Sequence, residues 1–177
     1  MNPSEKFWDK VSNLFDRSEK KTNPVSTSFK TIEATKKLLS RNDVVLDYGC
    51  GPGTITIEIA ESAKTMLAID ISSGMIEVAR GKAAQRSIEN LDFEQSNLLD
   101  ERYKKESFNM ILASNILHFI EDTAKVLSRI NDLLKSGGLF ISATVCLGER
   151  KTFLSTMMFF LTKIGIIPKM NFFKSQN

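Results

Sequence analysis

Apolar residues first recur at helical spacing, with Phe7, Val11, Leu14 and Phe15 following a helix start at Asn2-Pro3-Ser4. The polar stretch Asp16 to Asn23 is expected to break that helix. A second helix is expected from Pro24 to Leu39, since proline is acceptable in a first turn. The pattern then changes, and short apolar runs alternate with helical segments. Val44-Val45-Leu46 predicts a buried strand ending at Asp47 and a glycine cluster, and Thr54 to Ala63 the helix after it. Thr65 to Ile69 predicts a second strand, and Ser72 caps a helix carrying Met75, Ile76, Val78 and Ala79. Leu91 to Glu94 is a weaker third strand. Phe108 to Ala113 is a fourth, followed by a helix over Asp122 to Leu134, a turn at Ser136-Gly137-Gly138 and a fifth strand from Leu139 to Ala143. Strands alternating with helices imply an α/β fold, a doubly wound parallel sheet covered on both faces.

Composition narrows the picture a little. Apolar residues make up 42% of the 177, enough for a packed core. The 24 basic and 21 acidic residues leave a net charge of +3, with no basic face that would argue for nucleic acid. Cys50 and Cys146 offer neither a disulfide framework nor metal-ligand spacing, so no metal is expected and reduced thiols fit a cytoplasmic protein. The start, Met1 to Lys10, lacks the apolar core of a secretion signal. Phe153 to Ile167 is almost continuously apolar, but it is shorter than the ~20 residues of a spanning helix and Lys163 interrupts it. A buried or interfacial helix is expected there, not a membrane span.

The informative stretch is Val44 to Ala60, where a buried strand runs into Gly49, Gly51 and Gly53 and then into a helix. Such a loop lets main chain approach a ligand closely. At the carboxyl end of the first strand of an open parallel sheet, it lies where ligands bind. Asp70 ends the second strand, about 20 residues beyond the glycines, and a carboxylate there can accept hydrogen bonds from both ribose hydroxyls of a nucleoside. Neither register of the glycines completes the G-x-G-x-x-G dinucleotide pattern, and G-x-x-x-x-G-K-[ST] is absent. Asp47 beside the loop would repel a diphosphate and attract a cation. The electrostatics therefore favour S-adenosylmethionine, which is cationic and phosphate-free, over NAD or ATP.

Asp47-Tyr48-Gly49-Cys50-Gly51-Pro52-Gly53 resembles the D-x-G-x-G-x-G motif of class I S-adenosylmethionine-dependent methyltransferases. Leu67-Ala68-Ile69-Asp70-Ile71-Ser72 with Met75, Phe108 to Ala113, and Leu133 to Leu139 resemble the family's second, fourth and fifth strand motifs. The likeness spans roughly residues 40 to 145 and implies a Rossmann-like fold with S-adenosylmethionine as cofactor. It implies that Gly49, Gly51 and Gly53 line the methionine and ribose, with Asp47 near the ammonium. Asp70 would hold the ribose, and Ile71 and Met75 would flank the adenine. Asn97-Leu98 matches the place of an acidic residue that receives the adenine amino group, and the Asn97 amide oxygen can still accept that bond. Ala113 and Ser114 would touch the methionine part through their main chain. The family's sheet continues past the fifth strand into two more strands. No such pair follows here, so the chain reads as truncated at Asn177.

The resemblance leaves the reacting groups open, because methyl transfer from a sulfonium needs alignment of a nucleophile more than a general base. His118, the one histidine, and Asn115 follow the fourth strand and are the candidates for catalysis. Cys50 reads as a small filler, Cys146 as a buried thiol, and Phe29 as a lining residue of the pocket or of the core. The expected organisation is one domain: a helical lid over residues 1–40, reaching across the cleft between Phe7 and Lys30, a cofactor-binding core over 41–146, and an apolar helix with an incomplete end over 147–177. The expected function is methyl transfer to a small molecule. The alternatives are a protein or RNA acceptor, or a binding protein without turnover. The apolar segment 153–167 is the expected surface for a homo-oligomer.

Overall fold

The computed structural model describes residues 3–19, 27–144, 162–163 and 167–171. Helix α1 (Pro3–Glu19) and helix α2 (Thr27–Leu38) precede the sheet. Then follow β1 (Val44–Tyr48), α3 (Thr54–Ile59) with a 3-10 turn over Ala60–Ser62, β2 (Thr65–Asp70), α4 (Ser73–Gln85) and β3 (Leu91–Gln95). The second half holds β4 (Phe108–Ser114), a 3-10 turn over Leu117–Phe119, α5 (Thr123–Leu133) and β5 (Leu134–Ala143). The five strands form one parallel sheet in the order β3-β2-β1-β4-β5. The chain therefore starts at the centre, winds out to β3, and returns to the other side of β1 at β4.

Side chains alternate between the faces of each strand, and both faces are covered. On one side Val45, Met66, Ala68, Met110 and Leu112 pack with Ile32 of α2, Ile57 of α3 and Ile76 and Ala79 of α4. On the other, Leu46, Ile69 and Ile111 pack with Val126, Ile130 and Leu133, the inner face of α5. Caps mark the helix starts as expected. Ser72 accepts from the Met75 N–H, and Asp122 accepts from the Lys125 N–H.

Two boundaries differ from the sequence expectation. Helix α1 does not break at Asp16 but runs on to Glu19. Asp16 to Glu19 contains neither glycine nor proline, and polarity alone does not stop a helix. The turn at Ser136 to Gly138 lies inside β5. Phe108 pairs with Leu134 and Met110 with Leu139, so residues 135–138 bulge out of the ladder before the expected strand begins. Among the described residues β5 forms an edge of the sheet, and none of their helices is long and apolar enough to cross a membrane. The expected apolar helix and interface over 153–167, and Cys146, fall outside the described residues except at 162–163 and 167.

Candidate functional site

Between β1 and β4 the winding of the chain reverses, and a gap opens above their carboxyl ends. A cleft of about 380 Å³ occupies it. The loop after β1 forms one wall. Gly49 and Cys50 both donate their N–H groups to the Ile69 carbonyl, at 2.8 and 3.1 Å, which ties the loop to the end of β2. Gly49 has a φ of 73°, and a Cβ there would stand 2.7 Å from Ile116, so only glycine fits. Gly51 has a φ of 54°, and nothing lies within 4 Å of where its Cβ would be. The open space beside it is on the wall of the cleft.

Asp70 connects this loop to α4. Its Oδ2 accepts from the Gly51 N–H at 3.0 Å and its Oδ1 from the Ser72 N–H at 2.9 Å. Each oxygen keeps lone-pair capacity for a ligand. Burial pushes the Asp70 carboxyl up, and those main-chain donors oppose the shift. Asp47 is more deeply placed, at 2% exposure, and accepts from the Thr56 hydroxyl at 2.5 Å. Burial pushes its carboxyl up to about 7, with Thr56 pulling the other way and Asp70 adding to the rise. Tyr48 is pushed up to about 12, mainly by burial and further by Asp70, so it stays a neutral phenol. The Cys50 thiol is also pushed up, by burial first and then by Asp47 and Asp70, which keeps it an un-ionised filler.

Asp47, Gly49, Gly51, Asp70, Ile71, Met75, Ser114, Asn115 and His118 all face this cleft, so the structure brings together most of the residues singled out from the sequence. Four are elsewhere. Gly53 is buried against Ala79, Ile57 and Phe93 at the start of α3, and Ala113 lies inside β4, so neither lines the cleft. Leu98 is a fully buried core residue. Asn97 is exposed, and its Oδ1 accepts from the Leu99 N–H at 2.8 Å. Phe29 is 38% exposed and stands away from the cleft, while its neighbour Ser28 lines it.

Sequence reasoning did not find Ser4, Trp8, Phe119 or Ile120 in the wall. Trp8 was hidden because it reaches the cleft from α1, across the fold from β4. The anchor is Asp9, whose Oδ1 accepts from the Ser72 hydroxyl at 2.6 Å and the Gly74 N–H at 3.0 Å. These contacts hold the Asp9 carboxyl below the usual range.

Among the described residues no lysine or arginine lines the cleft, while two carboxylates do. A diphosphate would meet only repulsion there, whereas a cationic nucleoside without phosphate fits the donor set. The sequence of residues 39–163 matches a family model described as a methyltransferase domain. The chain belongs to that family. It is 34% identical over 97 residues to an aklanonic acid methyltransferase of Streptomyces, a match covering 53% of this chain and 44% of that protein. A carboxy-S-adenosyl-L-methionine synthase of Nautilia profundicola is 28% identical over 82% of this chain and 63% of its own length. Among solved structures, a possible histamine N-methyltransferase of Thermotoga maritima superposes with a TM-score of 0.69 at 19% identity, over 96% of this chain and 74% of that one, which shows the shared fold. The chain spans about half the length of the first curated relatives it matches.

Proposed function

We propose that the chain binds S-adenosylmethionine in this cleft and transfers its methyl group to a small-molecule acceptor. The observation that carries the reading is a cleft at the switch point of the sheet with two carboxylates, a glycine wall and, among the described residues, no basic side chain. Asp70 would accept from the ribose hydroxyls with the lone pairs its main-chain donors leave free. Ile71 and Met75 would give the adenine an apolar slot. The open space at Gly51 would admit the ribose and methionine part, and Asp47 would face the ammonium. The main chain at Ser114 would meet the methionine end. Neither Asn97 nor Leu98 is needed for this arrangement.

Bound there, the cofactor supplies a methyl group already activated on a cationic sulfur. The chain's own contribution is to hold and align the reactants and to exclude water. Helix α1 serves the second purpose, because Ser4 and Trp8 close the cleft from above while Asp9 fixes the helix to the start of α4. His118 and Asn115 stand on the acceptor side. His118 is buried, and burial pushes its imidazole down, toward the neutral form. Small-molecule acceptors are favoured because the cleft is closed over by α1.

The test is release of S-adenosylhomocysteine from purified chain incubated with S-adenosylmethionine and a fractionated cell extract. Turnover is expected with the low-molecular-mass fraction. Turnover confined to the protein or RNA fraction, or none with any fraction, would overturn the acceptor assignment.

A further inference from the structure

Beyond Asp47, the glycine loop and Asp70, the wall of the cleft changes character. It is made by Trp8 of α1 and by the segment after β4, with Asn115, His118 and Phe119. The rings of Trp8 and Phe119 stand at 80° to each other with centroids 5.0 Å apart, and the His118 ring leans on Phe119 at 4.1 Å. Two rings at right angles make a corner. A flat ring that stacks on one of them meets the other edge to face, and both are favoured arrangements.

Three polar atoms at this wall lie out of water with no partner among the described residues: Oγ of Ser114, Oδ1 of Asn115 and Nδ1 of His118. Unpaired buried polar atoms are uncommon in folded chains, and at a cleft wall they point to a partner outside the chain. Their placement is imposed by the backbone. Asn115 is held at a φ of 55°, in the left-handed region, with its N–H donating to the Ala143 carbonyl at 2.7 Å. Asn171 grips the neighbouring main chain from outside. Its N–H donates to the His118 carbonyl and its Nδ2 to the Ile120 carbonyl, each at 2.6 Å. The wall is thus built before a ligand arrives.

Charge selects further. Among the described residues, Asp47 and Asp70 are the only charged side chains lining the cleft. A carboxylate or phosphate on the acceptor would find no counter-charge. An ammonium would find its only carboxylates on the cofactor side, where a cationic cofactor already answers them. What remains is a neutral ring with a polar group for the three unpaired atoms: Oδ1 of Asn115 accepts, Nδ1 of His118 accepts when the ring proton is on Nε2, and the Ser114 hydroxyl donates or accepts.

We propose that this corner is the acceptor subsite, and that it takes a neutral, flat, hydroxyl-bearing ring compound. The inference rests on the cofactor reading above. The ring lies in the angle between Trp8 and Phe119, and the hydroxyl donates to Asn115 or His118.

The test is calorimetric titration of the full chain, saturated with S-adenosylhomocysteine, using naphthol, naphthoate and naphthylmethylamine as probes near neutral pH. Naphthol is expected to bind at least about tenfold more tightly than either charged analogue. Trp8→Ala, and separately His118→Ala, are each expected to weaken naphthol by roughly tenfold. Trp8 is the chain's single tryptophan, so its indole N–H gives one proton resonance, and naphthol is expected to move it. Equal or tighter binding of a charged analogue, or an unmoved indole signal, overturns the proposal without any variant having to fold. Naphthol affinity unchanged in Trp8→Ala does the same. Failure of the unmodified chain to bind S-adenosylhomocysteine would instead overturn the cofactor reading.

Discussion

Asp47 sits at the end of β1 with its carboxyl out of water and a folded pKa near 7, against about 3.9 in an unfolded chain. Between those values the folded chain holds a proton that the unfolded chain has released. The contribution of Asp47 to stability is therefore full below about pH 4 and is lost as pH rises through about 7. Asp47→Asn keeps an acceptor for Thr56 and removes the buried charge. It is expected to raise the stability of the ligand-free chain by about 1–3 kcal/mol above about pH 8, and to change it little near about pH 4, in denaturant melts at each pH. The charge has the opposite value for binding, because a cationic ligand favours the ionised form. Affinity for S-adenosylmethionine is expected to rise by up to about tenfold per pH unit until about pH 7 and then level off, and Asp47→Asn to flatten that profile. A flat profile in the unmodified chain would sink this account of Asp47. Asp70→Ala removes the acceptor for the ribose and is expected to cost about tenfold or more in affinity by calorimetry. Unchanged affinity would remove Asp70 from the site. Both aspartates were legible in the sequence, because each ends a strand beside glycines or a helix cap. At Asn97, whose position matches a family pattern, the Oδ1 also accepts from the Leu99 N–H, a turn contact that spacing does not reveal.

Helix α1 joins the site through contacts that no local pattern announces. The Asp9 side chain meets Ser72 and Gly74, each more than sixty residues along the chain. A Cβ at Gly74 would stand 2.9 Å from the Ser12 hydroxyl and 3.3 Å from the Asp9 carbonyl, so α1 and α4 approach closely there. Asp9→Ala is expected to speed hydrogen exchange of the main chain over residues 3–19 and to leave β1 and β4 unaltered, by mass spectrometry of exchanged peptides. Unchanged protection of α1 would show that packing of Trp8 against Phe119 holds the helix without Asp9. The elements themselves were legible wherever apolar period and punctuation agreed, as in β1, β2, β4 and the capped helices α4 and α5. They were misread where composition stood in for geometry: the polar end of α1 continues as helix, and the glycines after α5 make a bulge within β5.

At the scale of the whole molecule, the sheet order places β1 and β4 side by side with their following segments turned apart, and the cleft exists because of that reversal. Its polarity then decides what can enter. A ligand that binds only the folded chain stabilises it by about 2.7 kcal/mol at a hundredfold excess over its dissociation constant. Saturating S-adenosylmethionine is accordingly expected to raise the melting temperature by about 5–10 °C, and NAD by nothing measurable. The most direct measurement is a paired calorimetric titration of the ligand-free chain with S-adenosylmethionine and with NAD. One-to-one binding of the first and none of the second is the expected result. Binding of NAD, or heat from neither, would contradict a cleft shaped for a phosphate-free cation.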